Sequence, residues 1–196
     1  MNRLIHCGII VAALIPSPLI GQAFRVGVGG GLSTLIGDDI NGEEVGFTLG
    51  GEFMVLRSSQ MEFGLGLDYS KYGVRDLPKD LTEVNLLGIL RYSPWLESVR
   101  PAFGIKAGIS RHKVPLVTDL LMLTEASTYG FTVGPTLSLL VPMGRFGVEI
   151  GLDAMYMVYD GLDPKEPSVG LITPGSSYSG IRISGRAGLS MSLGMP

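Results

Sequence analysis

From Phe24 onward, apolar and polar residues alternate with a period of two. That period marks a strand whose two faces meet different surroundings. In FRVGVGGGLSTLI, Phe24, Val26, Val28 and Leu32 share one parity, while Arg25, Gly27, Gly29, Gly31 and Ser33 share the other. EVGFTLGGEFMVL sets Val45, Phe47, Leu49, Phe53 and Val55 against Gly46, Thr48, Gly50 and Glu52. MEFGLGLDYS sets Phe63, Leu65, Leu67 and Tyr69 against Glu62, Gly64, Gly66, Asp68 and Ser70. TEVNLLGILRY is less regular: Val84, Leu86, Leu90 and Tyr92 oppose Glu83, Asn85 and Arg91, but Leu87 and Ile89 fall on the polar side. Four more segments follow. They are PAFGIKAGIS, TYGFTVGPTLSLL, FGVEIGLDAMYMV and GIRISGRAGLSMSLGM, and each puts bulky apolar residues on one parity and Gly, Ser, Thr or charges on the other. The pattern predicts eight strands.

The connections alternate as well. Long polar or Pro/Gly-rich links are expected at Gly37–Glu43, Gly73–Leu81, His112–Ala126 and Tyr159–Ser177, and shorter ones at Arg57–Gln60, Ser93–Arg100 and Val141–Arg145. Long loops on one rim and short turns on the other are the pattern of a membrane-spanning barrel. An antiparallel sheet in water also alternates, with its apolar face inward. Strand length and residue size decide between the two. Segments of about ten residues are long enough to cross a bilayer at a tilt. Of the 15 aromatic residues (seven Phe, seven Tyr, one Trp), 11 lie on the apolar parity: Phe24, Phe47, Phe53, Phe63, Tyr69, Tyr92, Phe103, Tyr129, Phe131, Phe146 and Tyr156. Those rings would overfill the narrow interior of an eight-stranded barrel, whereas Gly, Ser and Thr suit it. The expected fold is therefore all-β, an eight-stranded antiparallel up-and-down transmembrane barrel with small and charged residues inside.

The polar parity also balances its charges. Arg25, Arg91, Lys106, Arg182 and Arg186 stand against Glu52, Glu62, Asp68, Glu149 and Asp153. Unpaired charges in a narrow lumen would be costly, so these ten residues are expected to form an internal ion-pair network in a narrow or plugged lumen.

Composition adds three points. Gly accounts for 29 of 196 residues, which argues against helices, where each interior glycine costs about 1 kcal/mol. Charged residues are only 17%, which argues against disorder. The net charge is −3 with no Lys/Arg cluster, so nucleic acid is not an expected partner. Residues 1–23 read as a signal peptide, with Arg3 as the basic start, Ile9–Ile15 as the apolar stretch, and Gly21 and Ala23 at a small-residue cleavage site. The barrel is then residues 24–196. Cys7, the only cysteine, leaves with the leader, so thiol chemistry is not expected in the mature chain.

With its leader, its GVGGGLS opening strand, its eight alternating segments and PAFGIKAGIS as the fifth, the mature chain resembles the small outer-membrane β-barrel superfamily of OmpA/OmpX-type and porin-like proteins. The resemblance implies residence in the outer membrane of a bacterium with a double-membrane envelope. It also implies outer-membrane lipid and the barrel-assembly machinery as partners. Such barrels usually end in an aromatic residue read during assembly; this chain ends SLGMP.

Candidate chemistry is sparse. His112 is the one histidine outside the leader, and it is expected in a long loop with Ser110 as its local Ser partner. Asp38, Asp39, Asn41, Glu43 and Glu44 of GDDINGEE miss the EF-hand spacing and read as a solvated acidic loop. GVGGG lies inside a strand and lacks a downstream Lys-Ser/Thr, so it reads as lumen wall rather than a phosphate loop. No catalytic, cofactor-binding or metal-ligating residue is assigned. Residues 114–126 carry Leu116, Leu120, Leu121, Met122 and Leu123, an apolar run on the expected outer rim. An exposed apolar patch there would suit an extracellular partner or a hydrophobic ligand; the alternatives are that the flanking strands extend and pair beyond the membrane, or that the loop folds into the barrel mouth. The functional expectation is a non-enzymatic barrel serving envelope integrity or surface contact through its four long loops. A channel for small or hydrophobic solutes is second, and a lipid-modifying enzyme third.

Overall fold

The computed structural model describes residues 23–36, 45–56, 60–73, 80–94, 99–117, 123–159 and 178–193. Residues 1–22 of the expected leader, the GDDINGEE segment, residues 160–177 and the SLGMP end beyond Leu193 lie outside them.

Eight strands form: β1 (Ala23–Ile36), β2 (Gly46–Leu56), β3 (Met61–Tyr72), β4 (Leu81–Tyr92), β5 (Arg100–Val117), β6 (Leu123–Met143), β7 (Phe146–Tyr159) and β8 (Tyr178–Leu193). Each pairs antiparallel with the next, and β1 pairs with β8, so the sheet closes into an up-and-down barrel. Closure removes every free sheet edge, which a lipid surround requires. No helix among the described residues is long and apolar enough to cross a membrane.

The alternation resolves into an outward apolar wall and an inward polar core. Leu86, Ile109 and Phe131 are 50%, 59% and 53% exposed. Their chain neighbours Asn85, Ser110 and Thr132 are buried inside. In water such a surface would be untenable; against acyl chains it is what a barrel needs. Outward rings pack on one another at strand neighbours. Phe24 stacks on Phe53 with centroids 5.7 Å apart, and Phe47 meets Tyr69 at 6.2 Å. Leu87 and Ile89, the two residues out of step with the polar parity, do face inward. There they pack with Met54 and Met155 into a small apolar cluster.

Small residues let the wall close tightly. A Cβ on Gly31 would collide with the carbonyl oxygen of Gly185 on β8, so that inward position of β1 requires glycine. The β6–β7 ladder skips Gly134 and Pro135, since proline has no N–H to donate.

Two expected connections are shorter than the sequence suggested. Val141–Arg145 is mostly strand: pairing continues to Met143↔Phe146, leaving a tight turn of Gly144 and Arg145 in which Gly144 takes the positive φ (69°) that favours glycine. His112–Ala126 is likewise mostly strand, because β5 and β6 stay paired from His112↔Thr128 to Val117↔Leu123. β4 accompanies β5 only to Lys113, and β7 accompanies β6 only from Gly130. The remainder rises beyond its neighbours as a two-stranded ribbon.

Candidate functional site: the filled lumen

Every strand contributes polar residues to the interior, because the inward parity of each is polar or small. The register then brings residues far apart in sequence into contact. Glu52 on β2 is the hub. Its Oε2 lies 2.7 Å from an Arg91 guanidinium nitrogen, and its Oε1 lies 2.9 Å from Lys106 Nζ and 2.8 Å from Arg186. Three cations from β4, β5 and β8 thus converge on one carboxylate. Lys106 Nζ also reaches Asp153 Oδ2 at 3.0 Å, and Arg186 Nε reaches the same oxygen at 3.1 Å. Toward the short-turn rim, Arg91 donates to Glu149 Oε1 at 3.1 Å. Arg25 donates to Glu62 Oε2 at 2.6 Å and lies 3.6 Å from Glu149. Toward the long-loop rim, Arg182 lies 3.6 Å from Asp68, and Arg186 lies 3.5 Å from it.

The structure therefore brings together all ten residues assigned to the lumen from sequence: Arg25, Glu52, Glu62, Asp68, Arg91, Lys106, Glu149, Asp153, Arg182 and Arg186. It also adds one. Glu83 is completely buried, accepts from Arg182 at 3.2 Å, and accepts from the Tyr72 hydroxyl on its other oxygen at 3.3 Å. The balance is thus six carboxylates to five cations. Glu83 shares the inward parity of Arg91, a signal already present in TEVNLLGILRY.

Above the hub, bulky groups complete the filling. Tyr72, Tyr159, Met157 and His112 are all fully buried, with the His112 imidazole stacked on the Tyr159 ring at 4.6 Å and 20°. Ser70 donates to Thr48 Oγ1 at 3.0 Å, and Ser110 donates to Asn85 Oδ1. The expectation that His112 lies in a loop is corrected here. It sits within β5 opposite Glu83 of β4, and its side chain points into the barrel. Ser110, two residues earlier on the same face, is buried too. A Ser/His pair acting on membrane lipid would have to face the lipid, and this pair faces the lumen. A cavity of about 40 Å³ beside Glu52, Glu149 and Arg186, walled by Gly27, Gly29, Gly50 and Gly188, has room for a few waters at most. Among the described residues no group of His, Cys, Asp and Glu could hold a metal ion.

A closed eight-stranded barrel is also found among solved outer-membrane proteins. The fold is that of the eight-stranded outer-membrane barrels. The crystal structure of Neisserial surface protein A (NspA) matches it with a TM-score of 0.57 at 16% identity, over 86% of this chain and 97% of that one. The outer membrane protein OprG from Pseudomonas aeruginosa matches with a TM-score of 0.50 at 11% identity, over 89% and 97%. No protein-family model matches the chain, and no curated protein matches it by sequence. The likeness to this eight-stranded barrel fold is structural: alternation and closure persist where individual residues do not.

Proposed function

We propose that this chain is an outer-membrane barrel that works as a closed envelope element, with its loop-bearing rim as the surface that meets partners, rather than as a solute pore or a lipid-modifying enzyme. The observation that carries the reading is the filling of the lumen at mid-depth. Lys106, Arg91 and Asp153 are essentially without solvent exposure, and each is ion-paired, Lys106 with Asp153 and Arg91 with Glu149. A pore needs a continuous polar path, and here side chains from opposite walls meet across the axis. The names of the two similar structures, a surface protein and an outer membrane protein, support the same setting. Among the described residues, the ribbon built from the ends of β5 and β6 rises furthest beyond its paired neighbours, and it is the natural first contact for an extracellular partner or a hydrophobic ligand.

Planar-bilayer recording of the refolded mature protein tests the closed lumen. The expected result is no stable, solute-sized conductance. A steady conductance that persists across preparations would replace this reading with the channel.

A further inference from the structure

The outward wall is apolar with one exception. Over the described strand residues 23–113 and 127–193, three charged residues occupy outward positions: Lys71 on β3, and Arg111 and Lys113 on β5. All three are basic. All three lie at the end of the wall that carries the long connections.

The register places them in adjoining rows. Lys71 pairs with Thr82, Thr82 with Lys113, and Lys113 with Ser127, so two lysines and two hydroxyls run across four neighbouring strands. One row deeper run Tyr69, Val84, Arg111 and Tyr129. Deeper again run Leu67, Leu86, Ile109 and Phe131, which are wholly apolar. In passing toward the rim the wall therefore changes from acyl-chain surface, through aromatic rings, to cations. Neighbouring strands stand about 4.8 Å apart, so Lys71 and Lys113 are rooted about 10 Å from each other, within reach of one anion between them.

The side chains are held for such a role. The Arg111 guanidinium lies 5.7 Å from the Tyr129 ring centroid and donates to Ser127 Oγ at 3.2 Å, contacts that orient it without neutralising it. Lys113 is exposed. Lys71 holds Asp80 at 2.6 Å with both side chains about 40% exposed, an ion pair open to exchange with a competing anion. A cation on a lipid-facing wall is costly at the bilayer midplane and nearly free at the interface. There it attracts anionic headgroups electrostatically. Arginine adds bidentate recognition of phosphate.

We propose that the outer face of β3–β6 at the loop-bearing rim is a binding site for the headgroup phosphate of an anionic lipid. Arg111 and Lys113 hold the phosphate from one side and Lys71 from the other, while the acyl chains lie on Leu67, Leu86, Ile109 and Phe131. This extends the functional reading above and does not depend on whether the lumen is closed, since the site is on the opposite face of the wall.

The test is native mass spectrometry of the full mature protein released from micelles containing dioleoylphosphatidic acid or dioleoylphosphatidylcholine. Wild type is expected to retain the anionic lipid in preference to the zwitterionic one. The double variant Arg111→Gln/Lys113→Gln is expected to lose about thirtyfold of that preference, as two interfacial cations imply. Arg145→Gln, in the turn at the opposite rim, serves as control and is expected to retain it. Heat-modifiable gel mobility verifies that each variant is folded. Equal retention of the two lipids by wild type, or undiminished preference in the folded double variant, overturns the proposal. Displacement of the lipid by millimolar inorganic phosphate also overturns it, because it would show a free-anion site rather than a lipid site.

Discussion

Replacing Glu52 by glutamine is expected to destabilise the folded barrel by about 3–5 kcal/mol, the usual consequence of stripping one partner from buried charges. The shape of the side chain is kept, so packing changes little. What is lost is the single negative centre between Arg91, Lys106 and Arg186. Lys106 retains Asp153, and Arg91 retains Glu149, but three cations then crowd one space with reduced compensation. The midpoint of urea-induced loss of the folded gel band measures the effect. Adding Lys106→Met to Glu52→Gln removes one of the stranded cations. The double variant is therefore expected to be less destabilised than the sum of its singles, the signature of direct coupling. A Glu52→Gln barrel within about 0.5 kcal/mol of wild type would show that solvent, not the carboxylate, balances these cations. Arg186→Glu probes the same centre from the other sign: it would set a fourth carboxylate beside Glu52, Asp68 and Asp153, and a large loss is expected.

The second large effect is expected on the outside. Leu86 is half exposed at the centre of β4, flanked by Leu67 and Ile109 on the adjoining strands. Leu86→Arg should cost about 2–4 kcal/mol in a bilayer, the penalty for a cation at the midplane of a barrel wall. Thr82→Arg, four residues nearer the rim on the same face, should cost no more than about 1 kcal/mol. The contrast between the two, measured in one lipid, carries the argument. A soluble barrel would tolerate arginine equally at both outward positions.

The two-faced alternation made most of this structure legible in advance, because burial in a barrel is decided by parity alone. Val26 and Arg25 differ by one residue and by everything that touches them. Parity also sufficed to collect the ten lumen charges. It could not say which of them meet, because contacts across the axis depend on strand tilt and stagger. Nothing local in the sequence relates Glu52 to Arg186. Glu83 escaped the count because five acids already matched five bases, although its parity was visible. Leu87 and Ile89 disturbed the alternation for a physical reason: the lumen contains an apolar patch with Met54 and Met155 as well as charges. The ends of β5 and β6 were hidden for the opposite reason. The segment from Val114 to Ala126 is mostly apolar on both parities, so period two is lost there and the strands read as a loop. That error also misplaced His112, which the ladder carries into the lumen opposite Glu83.

Site-directed spin labelling along β4 tests the orientation of the wall most directly, and Cys7, the only cysteine, lies in the predicted leader and leaves the mature chain clear for single labels. Labels at positions 84, 86, 88 and 90 in bilayers should relax strongly with oxygen, which partitions into the acyl region, and those at 85, 87, 89 and 91 should be shielded from oxygen and from a water-soluble nickel reagent alike. Oxygen access in the opposite phase, or no two-residue periodicity at all, would contradict a barrel that turns its apolar side chains to lipid and its charges to the axis.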